Sequence, residues 1–312
     1  MKNVEKMKPK KPARVLVSII NWNNNEATNR CLASFARLTA CPDILLIDNN
    51  SLIEEMKVDN SFTSTLPLTI LRNETNLGFA AAHNESIEYA TIRGYDYICL
   101  LNNDTELIDF SMFDKLIAKL DESEAIAIAP TILSTIKPDI VWYGGGSLNV
   151  RRAKNHHNFV GQNYDQIKNM SLQETSFITG CCVVIKTERD ITLDESYFLY
   201  WEDADWCAKM TARGEKLLYL PSTSLVHHTS SSLGARSPKY AYYNIRNQVL
   251  FAKKWSRGTD YYSSLVGAYW IATKYILLSI RNPKSTPELI RHIHRAFSDA
   301  RNNISGELKG VR

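Results

Sequence analysis

Four short apolar runs, separated by stretches of helical spacing, constrain this chain more than any other feature. They are Val15-Leu-Val-Ser-Ile-Ile20, Ile44-Leu-Leu-Ile47, Leu68 to Leu71 and Tyr97 to Leu101. Between the first two, Ala27, Cys31, Phe35 and Leu38 recur at helical intervals. A second helix follows Asn76-Leu-Gly-Phe79 and runs to Arg93, with Gly94 as its stop. Phe113, Leu116, Ile117 and Leu120 mark a third. Runs this short and apolar read as strands buried on both faces. Strands alternating with helices predict a parallel sheet with right-handed crossovers. The expected fold class is α/β: a doubly wound, mainly parallel sheet with helices on both faces, followed by a C-terminal helical region.

Polar residues gather at one place in this pattern. Asn21 and Trp22, Asp48, and Asn102 to Asp104 each lie just past the carboxyl end of a predicted strand. Each alone is ordinary turn chemistry, because Asn and Asp favour turns. Three such ends together point to a ligand, since open α/β sheets bind along that edge. No Gly-x-Gly-x-x-Gly or Walker sequence follows any strand, so the usual dinucleotide and ATP cradles are absent. Asp48 offers an acceptor for a nucleobase N–H or ribose hydroxyl, and Trp22 a face for a base. Asp104 offers hard oxygens to a divalent metal whose shell a diphosphate would complete. A nucleoside diphosphate with a metal fits these parts.

Further along, Glu124 to Pro130 reads as a strand, and Arg151 to Met170 as a long functional or mobile loop. Phe177 to Ile185 reads as a strand crossing the core, in which Gly180 permits either a close ligand approach or a bulge. Tyr200-Trp-Glu-Asp-Ala-Asp-Trp206 sets Glu202, Asp203 and Asp205 at the start of a helix that Gly214 stops. The helix dipole would keep such carboxylates ionised, as a general base or metal ligand needs; a solvated cap is the plainer reading. Leu217 to Leu220 and Ser224 to Val226 are short strands leading to His227 and His228, either metal ligands or a surface pair.

Together these residues resemble the family 2 glycosyltransferases of the GT-A fold. The pattern is similar to that of bacterial rhamnosyl- and galactosyltransferases of cell-surface polysaccharide synthesis. The likeness covers about Val15 to Ser232. It rests on Val17 to Asn23, Ile47-Asp-Asn-Asn-Ser51, Asn76-Leu-Gly-Phe79 with Asn84, Leu101-Asn-Asn-Asp-Thr105, Gly180, Trp201-Glu-Asp-Ala-Asp205 and His227-His228 with the serines after them. The resemblance implies that Asp48 and Trp22 hold the nucleobase with Asn21 nearby, and that Asn76 and Gly78 lie by the diphosphate. It implies Asp104 as the metal aspartate, with Asn102 where many members carry a first aspartate, and His227 as a metal ligand, with His228 left open. Asp203 matches the catalytic base; Asn84, Asn103, Trp201 and Glu202 fall among substrate-binding positions. Mg²⁺ or Mn²⁺ is the implied cofactor, a dTDP- or UDP-sugar such as dTDP-rhamnose the implied donor, and a glycan or polyprenyl-diphosphate-linked glycan the implied acceptor. O-antigen or capsule synthesis at the cytoplasmic face of the inner membrane is the implied setting.

The domains expected are a basic disordered tail (1–13), a transferase domain (14–237) and a helical region (238–312). The transferase domain divides into a nucleotide half (14–105) and a catalytic half (106–237). The tail is lysine-rich and lacks an apolar h-region, so it does not read as a secretory signal. A net charge of +4 argues against a dedicated nucleic-acid binder. The six cysteines show no metal-ligand spacing and read as reduced thiols. In the helical region, Arg246 either meets a phosphate bidentately or caps the fold. Leu265 to Ile280 is too short for a membrane span. It is a core helix or, with Arg281, Lys284, Arg291 and Arg295 following, an interfacial one; the membrane reading is favoured. A homo-oligomer is left open. Competing functions are a sugar-phosphate nucleotidyltransferase, which would want a glycine-rich loop after the first strand, and a non-catalytic nucleotide- or carbohydrate-binding scaffold.

Overall fold

The computed structural model describes residues 13–52, 58–137, 139–228, 237–279 and 286–310. The basic tail to residue 12, the serines after His228, and Arg281 and Lys284 lie outside the described residues. In chain order the elements begin with β1 (Val15–Asn21), α1 (Asn25–Phe35), β2 (Asp43–Asp48), α2 (Asn60–Thr65), β3 (Leu68–Arg72), α3 (Gly78–Ile92) and β4 (Tyr97–Asn102). Then come β5 (Thr105–Leu107), α4 (Met112–Asp121), β6 (Ala127–Ser134), β7 (Val141–Tyr143), β8 (Gly146–Asn149), β9 (Lys154–His157), β10 (Gln173–Thr175) and β11 (Cys182–Lys186). The chain closes with α5 (Glu202–Ala212), β12 (Leu217–His227), α6 (Pro238–Trp255), α7 (Gly258–Ser279) and α8 (Thr286–Arg301).

The main sheet runs β10-β12-β6-β11-β4-β1-β2-β3, with β5 on β12 and β7 on β6. β3, β2, β1 and β4 pair in parallel, as the alternating pattern requires. The interior strands β1, β2 and β4 are buried almost throughout, whereas β3, at the edge, leaves Ile70 and Leu71 exposed. The catalytic half is mixed, which is where the mainly parallel sheet departs from parallel. β11 runs antiparallel between β4 and β6, while β12 runs parallel to β6. The direction of β11 positions the site. Cys182 pairs with Leu101, so the residues entering β11 lie at the carboxyl end of β4.

Other boundaries moved for physical reasons. The strand read from Phe177 begins only at Cys182, and the one read over Glu124 to Pro130 is β6, which ends at Ser134. Leu217 to Val226 forms one strand, because a register shift between Leu220 and Ser224 absorbs the turn-like residues Pro221 to Thr223. The stretch Arg151 to Met170 is structured: the β8–β9 hairpin starts it, and Ile167 is buried with Leu133 and Val141. Helix caps follow their residues. Asn24 and Ser237 accept N–H groups at the starts of α1 and α6, and Gly214, at φ +80°, follows α5.

The helical region is continuous with the rest. Phe251 and Ala252 of α6 belong to the main core. A second apolar cluster joins Tyr242, Tyr243, Ile245, Leu289 and Ile293, with Phe198, Leu199 and Tyr200 packed on it. While Ile271, Tyr275 and Ile276 pack half-buried on that cluster, the fully buried residues of α7 are small: Ser264, Ala268 and Ala272. Its large side chains Tyr262, Val266, Tyr269, Trp270 and Leu277 are exposed, so it is not the buried core helix that was one reading of its sequence. Among the described residues no helix is long and apolar enough to cross a membrane.

Candidate active site

β1, β2 and β4 end level with one another, because Asn21 pairs with Asp48 and Ile20 with Asn102. Asn21 is buried and works as a hub. Its amide donates to Asn25 Oδ1 at 3.0 Å and to Asp48 Oδ1 at 3.3 Å, and its carbonyl accepts the Thr28 hydroxyl at 2.9 Å. Asn103 reaches the same hydroxyl at 2.9 Å. Asn21 and Asn103 are thus taken up largely by the protein, which fixes the shape of the strand ends. Trp22 and Asn102 stand half-buried at these ends.

Asp48 is 4% exposed and accepts from Arg72 Nη1 at 3.0 Å. Sequence reasoning missed Arg72, although it is level with Asp48 at the end of β3. It also missed Asn49. That side chain is 2% exposed and donates to Asn76 Oδ1 and the Gly78 carbonyl, and accepts from the N–H of Leu77. Asn76 and Gly78 are therefore held to the end of β2. Gly78 must be glycine: φ is +82°, and a Cβ there would meet the Phe198 carbonyl oxygen at 2.4 Å.

Asp104 and His227 converge. Asp104 Oδ1 and His227 Nε2 are 3.1 Å apart, both residues are buried, and the carboxylate oxygen makes no hydrogen bond among the described residues. β12 carries His227 to this edge, where it pairs with Thr105 of β5. The ring of Trp142, another residue missed from sequence, stands edge-on to His227 at 4.7 Å. His228 instead faces Glu106, Nε2 to Oε2 at 3.1 Å, which favours His227 over it as the partner of Asp104. One hard oxygen and one imidazole nitrogen suit a divalent cation. Among the described residues no third His, Cys, Asp or Glu completes such a group. Phosphate oxygens and water commonly fill the remaining positions around Mg²⁺, so these residues fit a metal bound with its diphosphate.

Asp203 lies in the first turn of α5. Its Oδ2 accepts the Gly180 N–H at 3.2 Å and its Oδ1 the Ala204 N–H at 2.7 Å. The next residue, Cys181, accepts the Asn102 N–H at 2.9 Å, so two adjacent residues link Asp203 to the end of β4. Gly180 makes room for the Phe79 ring, which a Cβ there would meet at 3.0 Å. The expectation that the dipole keeps these carboxylates ionised needs correcting. Burial raises Asp203, against the backbone N–H groups, those of Gly180 and Ala204 first, that lower it. Burial and then the Asp203 charge push Glu202 well above the usual carboxylate range. Glu202 is buried, and its Oε2 has no partner among the described residues. Desolvation outweighs the dipole here. Asp205, by contrast, is a structural tie: it accepts from Lys254 and from the Trp255 indole, both at 2.7 Å.

Tyr200 and Trp201 precede α5 at φ +68° and +77°. Aromatic residues in this left-handed region cost on the order of 1–3 kcal/mol each, and such strain gathers at functional sites. The Trp201 indole donates to Asn244 Oδ1 at 3.0 Å rather than into the cleft.

Two expected binding residues lie elsewhere. Arg246 is fully buried: it donates to Asn247 Oδ1, the Tyr242 hydroxyl and the Gly306 carbonyl, so it ties the fold together instead of meeting a phosphate. Asn84 exchanges two hydrogen bonds with the Leu193 backbone and is a bracket between α3 and that segment.

Residues 16–191 match the model of the family described as Glycosyl transferase family 2. The chain belongs to that family. No curated protein sequence matches this glycosyltransferase significantly. Solved structures share its fold at low identity. The structure described as GalNAc-T7 with UDP, GalNAc and Mn²⁺ aligns with TM-score 0.60 and 17% identity, over 77% of this chain and 48% of that one. The glycosyltransferase thus spans about half of GalNAc-T7. Mannosyltransferase PcManGT from Pyrobaculum calidifontis, in complex with GDP-Man and Mn²⁺, aligns with TM-score 0.56 and 14% identity, over 95% of this chain and 79% of that one. S. aureus TarS 1–349 in complex with UDP-GlcNAc gives TM-score 0.56 and 13% identity, over 93% and 89%. These likenesses establish the GT-A architecture of the glycosyltransferase.

Proposed function

We propose that this glycosyltransferase moves a sugar from a nucleoside-diphosphate sugar to an acceptor hydroxyl with inversion, and that Asp203 is the base. The observation that carries the reading is the anchoring of Asp203 to Gly180, beside the β4 end that bears Asp104. Asp48 and Trp22 hold the nucleobase and ribose, and Asn76 with the start of α3 lies along the diphosphate. Asp104 and His227 hold Mg²⁺ or Mn²⁺, which when bound neutralises charge on the departing diphosphate. Asp203 takes the acceptor proton as the new bond to the anomeric carbon forms and the bond to the diphosphate oxygen breaks. One in-line displacement inverts that centre. The raised affinity of Asp203 for protons suits the role, because a base works best with its pKa near the working pH.

The donor class is a dTDP- or UDP-sugar, dTDP-rhamnose among them, and the acceptor a glycan or polyprenyl-diphosphate-linked glycan of surface polysaccharide synthesis. Support comes from the sequence resemblance and from the UDP and UDP-GlcNAc named for two structural neighbours, although a third is named with GDP-Man. We place the enzyme at the inner face of the cytoplasmic membrane. The outward stripe of α7 supports this, with Trp270 under the Lys274 ammonium at 5.3 Å.

Asp203→Asn tests the base. It keeps size and one acceptor oxygen but removes the charge and the basic oxygen. Transfer from dTDP-rhamnose or UDP-galactose to octyl glycosides should fall roughly 10²-fold or more, with donor affinity and melting temperature kept. Transfer at the wild-type rate would assign the base to another residue.

A further inference from the structure

The segment that delivers Asp203 is held along its whole length by atoms outside it. The Phe198 carbonyl accepts the Phe79 N–H at 2.8 Å. The Leu199 and Tyr200 carbonyls accept from one amide, Asn247 Nδ2, at 2.9 and 2.8 Å. The last of these carbonyls belongs to the first of the two left-handed residues. Asn247 is fully buried, so it touches neither donor nor acceptor.

The orientation of this amide is decided by its neighbours. Arg246 Nε donates to Asn247 Oδ1 at 2.8 Å. A flipped amide would turn its NH₂ toward the guanidinium and its oxygen toward two carbonyl oxygens, so only one orientation is favourable. The guanidinium is fixed in turn, 5.1 Å from the ring centres of both Tyr242 and Tyr243 and bonded to the Gly306 carbonyl at 2.7 Å.

We infer that Asn247, oriented by Arg246, is a positioning residue: it holds the left-handed Tyr200–Trp201 turn that aims Asp203, and so governs sugar transfer from outside the cleft. This rests on the reading of Asp203 as the base. An aromatic residue leaves the left-handed region when its restraint goes, whereas glycine occupies it freely. Without Asn247, Asp203 should drift from its place at Gly180. Displacements near 1 Å can cost about 10²-fold in rate.

Steady-state kinetics with a saturating octyl glycoside and varied dTDP-rhamnose or UDP-galactose test this in Asn247→Ala, alone and combined with Tyr200→Gly or Tyr200→Ala. The expected result is a kcat roughly 10- to 100-fold lower in Asn247→Ala with donor KM little changed. Tyr200→Gly should restore much of that loss and Tyr200→Ala should not, because both delete the ring but only glycine relieves the backbone. An unchanged kcat, a rise in KM alone, or equal rescue by glycine and alanine would overturn the inference. If Asn247→Ala does not fold, Asn247→Ser carries the same comparison, and folding regained only with Tyr200→Gly counts in favour. Asp203→Asn, run beside them, separates the two claims. Transfer lost there but intact in Asn247→Ala overturns the positioning role alone. Transfer intact in Asp203→Asn overturns the base assignment and, with it, the link from turn to chemistry.

Discussion

Asp48 and Glu202 are both buried carboxylates, and their partners set them apart. Asp48 is met by the Arg72 guanidinium and the Asn21 amide, whereas Glu202 Oε2 has no partner among the described residues. Asp48→Asn keeps the shape and removes the charge. It should weaken UDP or dTDP binding by about 1.5–3 kcal/mol, the value of a hydrogen bond to a charged group, and calorimetry on the wild type and variant would show it. Unchanged affinity would take Asp48 out of the nucleotide site. Glu202 makes a prediction of opposite sense. Its folded value lies well above the ordinary 4.5 because of burial and the Asp203 charge. Its protonated form therefore contributes stability that is full below the ordinary value and is lost as pH rises through the raised one. Glu202→Gln, neutral throughout, should gain in melting temperature over the wild type as pH rises above that value and show no such gain in acid. A difference independent of pH would mean that Glu202 titrates normally. The same desolvation should place the acid limb of the transferase pH profile above the usual carboxylate range, since Asp203 as the proposed base must be ionised to act. The stretches bearing Asp104, His227 and Asp203 were legible because strand ends and a helix start announce themselves in sequence, but singling out Asp203 and His227 within them rested on the family resemblance. Arg72, Asn49 and Asn247 were not, because their partners lie 24, 29 and 48 residues away and no local pattern records such distances.

At the scale of elements, the nucleotide half was readable because each strand is a short apolar run closed by polar residues. In the catalytic half β6, β11, β12 and α5 were readable as elements, but the directions of the strands were not. Strand direction leaves no mark on composition, and the antiparallel course of β11 places Gly180 beside Asp203. α7 shows a similar limit: its apolar character is plain from sequence, yet which face is buried depends on α6 and α8, against which it sets Ala268, Ala272, Ile271 and Tyr275. The exposed stripe Tyr262, Val266, Tyr269, Trp270 and Leu277 follows one side of the helix. Flotation with liposomes containing anionic lipid should carry the protein upward, and Trp270→Glu should reduce that without lowering the melting temperature. Failure of the wild type to bind anionic or neutral vesicles would contradict the interfacial reading.

As a whole molecule the chain should unfold as one unit. The main core reaches into α6, and the segment leading to α5 packs on the cluster formed by α6 and α8. Denaturant titration followed by fluorescence and circular dichroism should therefore give a single coincident transition. Two separated transitions would show that residues 238–312 fold independently. Function belongs to this scale too, because the proposed mechanism draws its nucleotide side from the ends of β1, β2 and β4, its metal-facing histidine from β12 and its base from α5. The most direct measurement is turnover of dTDP- and UDP-sugars with octyl glycoside acceptors, in Mn²⁺ and in excess EDTA, reading nucleoside diphosphate and sugar product together. The expected result is acceptor-dependent release of nucleoside diphosphate from one donor class, with inverted product, abolished by EDTA and insensitive to Mn²⁺ in Asp104→Ala. Full turnover in EDTA, or pyrophosphate released from a sugar phosphate and a nucleoside triphosphate instead, would contradict it.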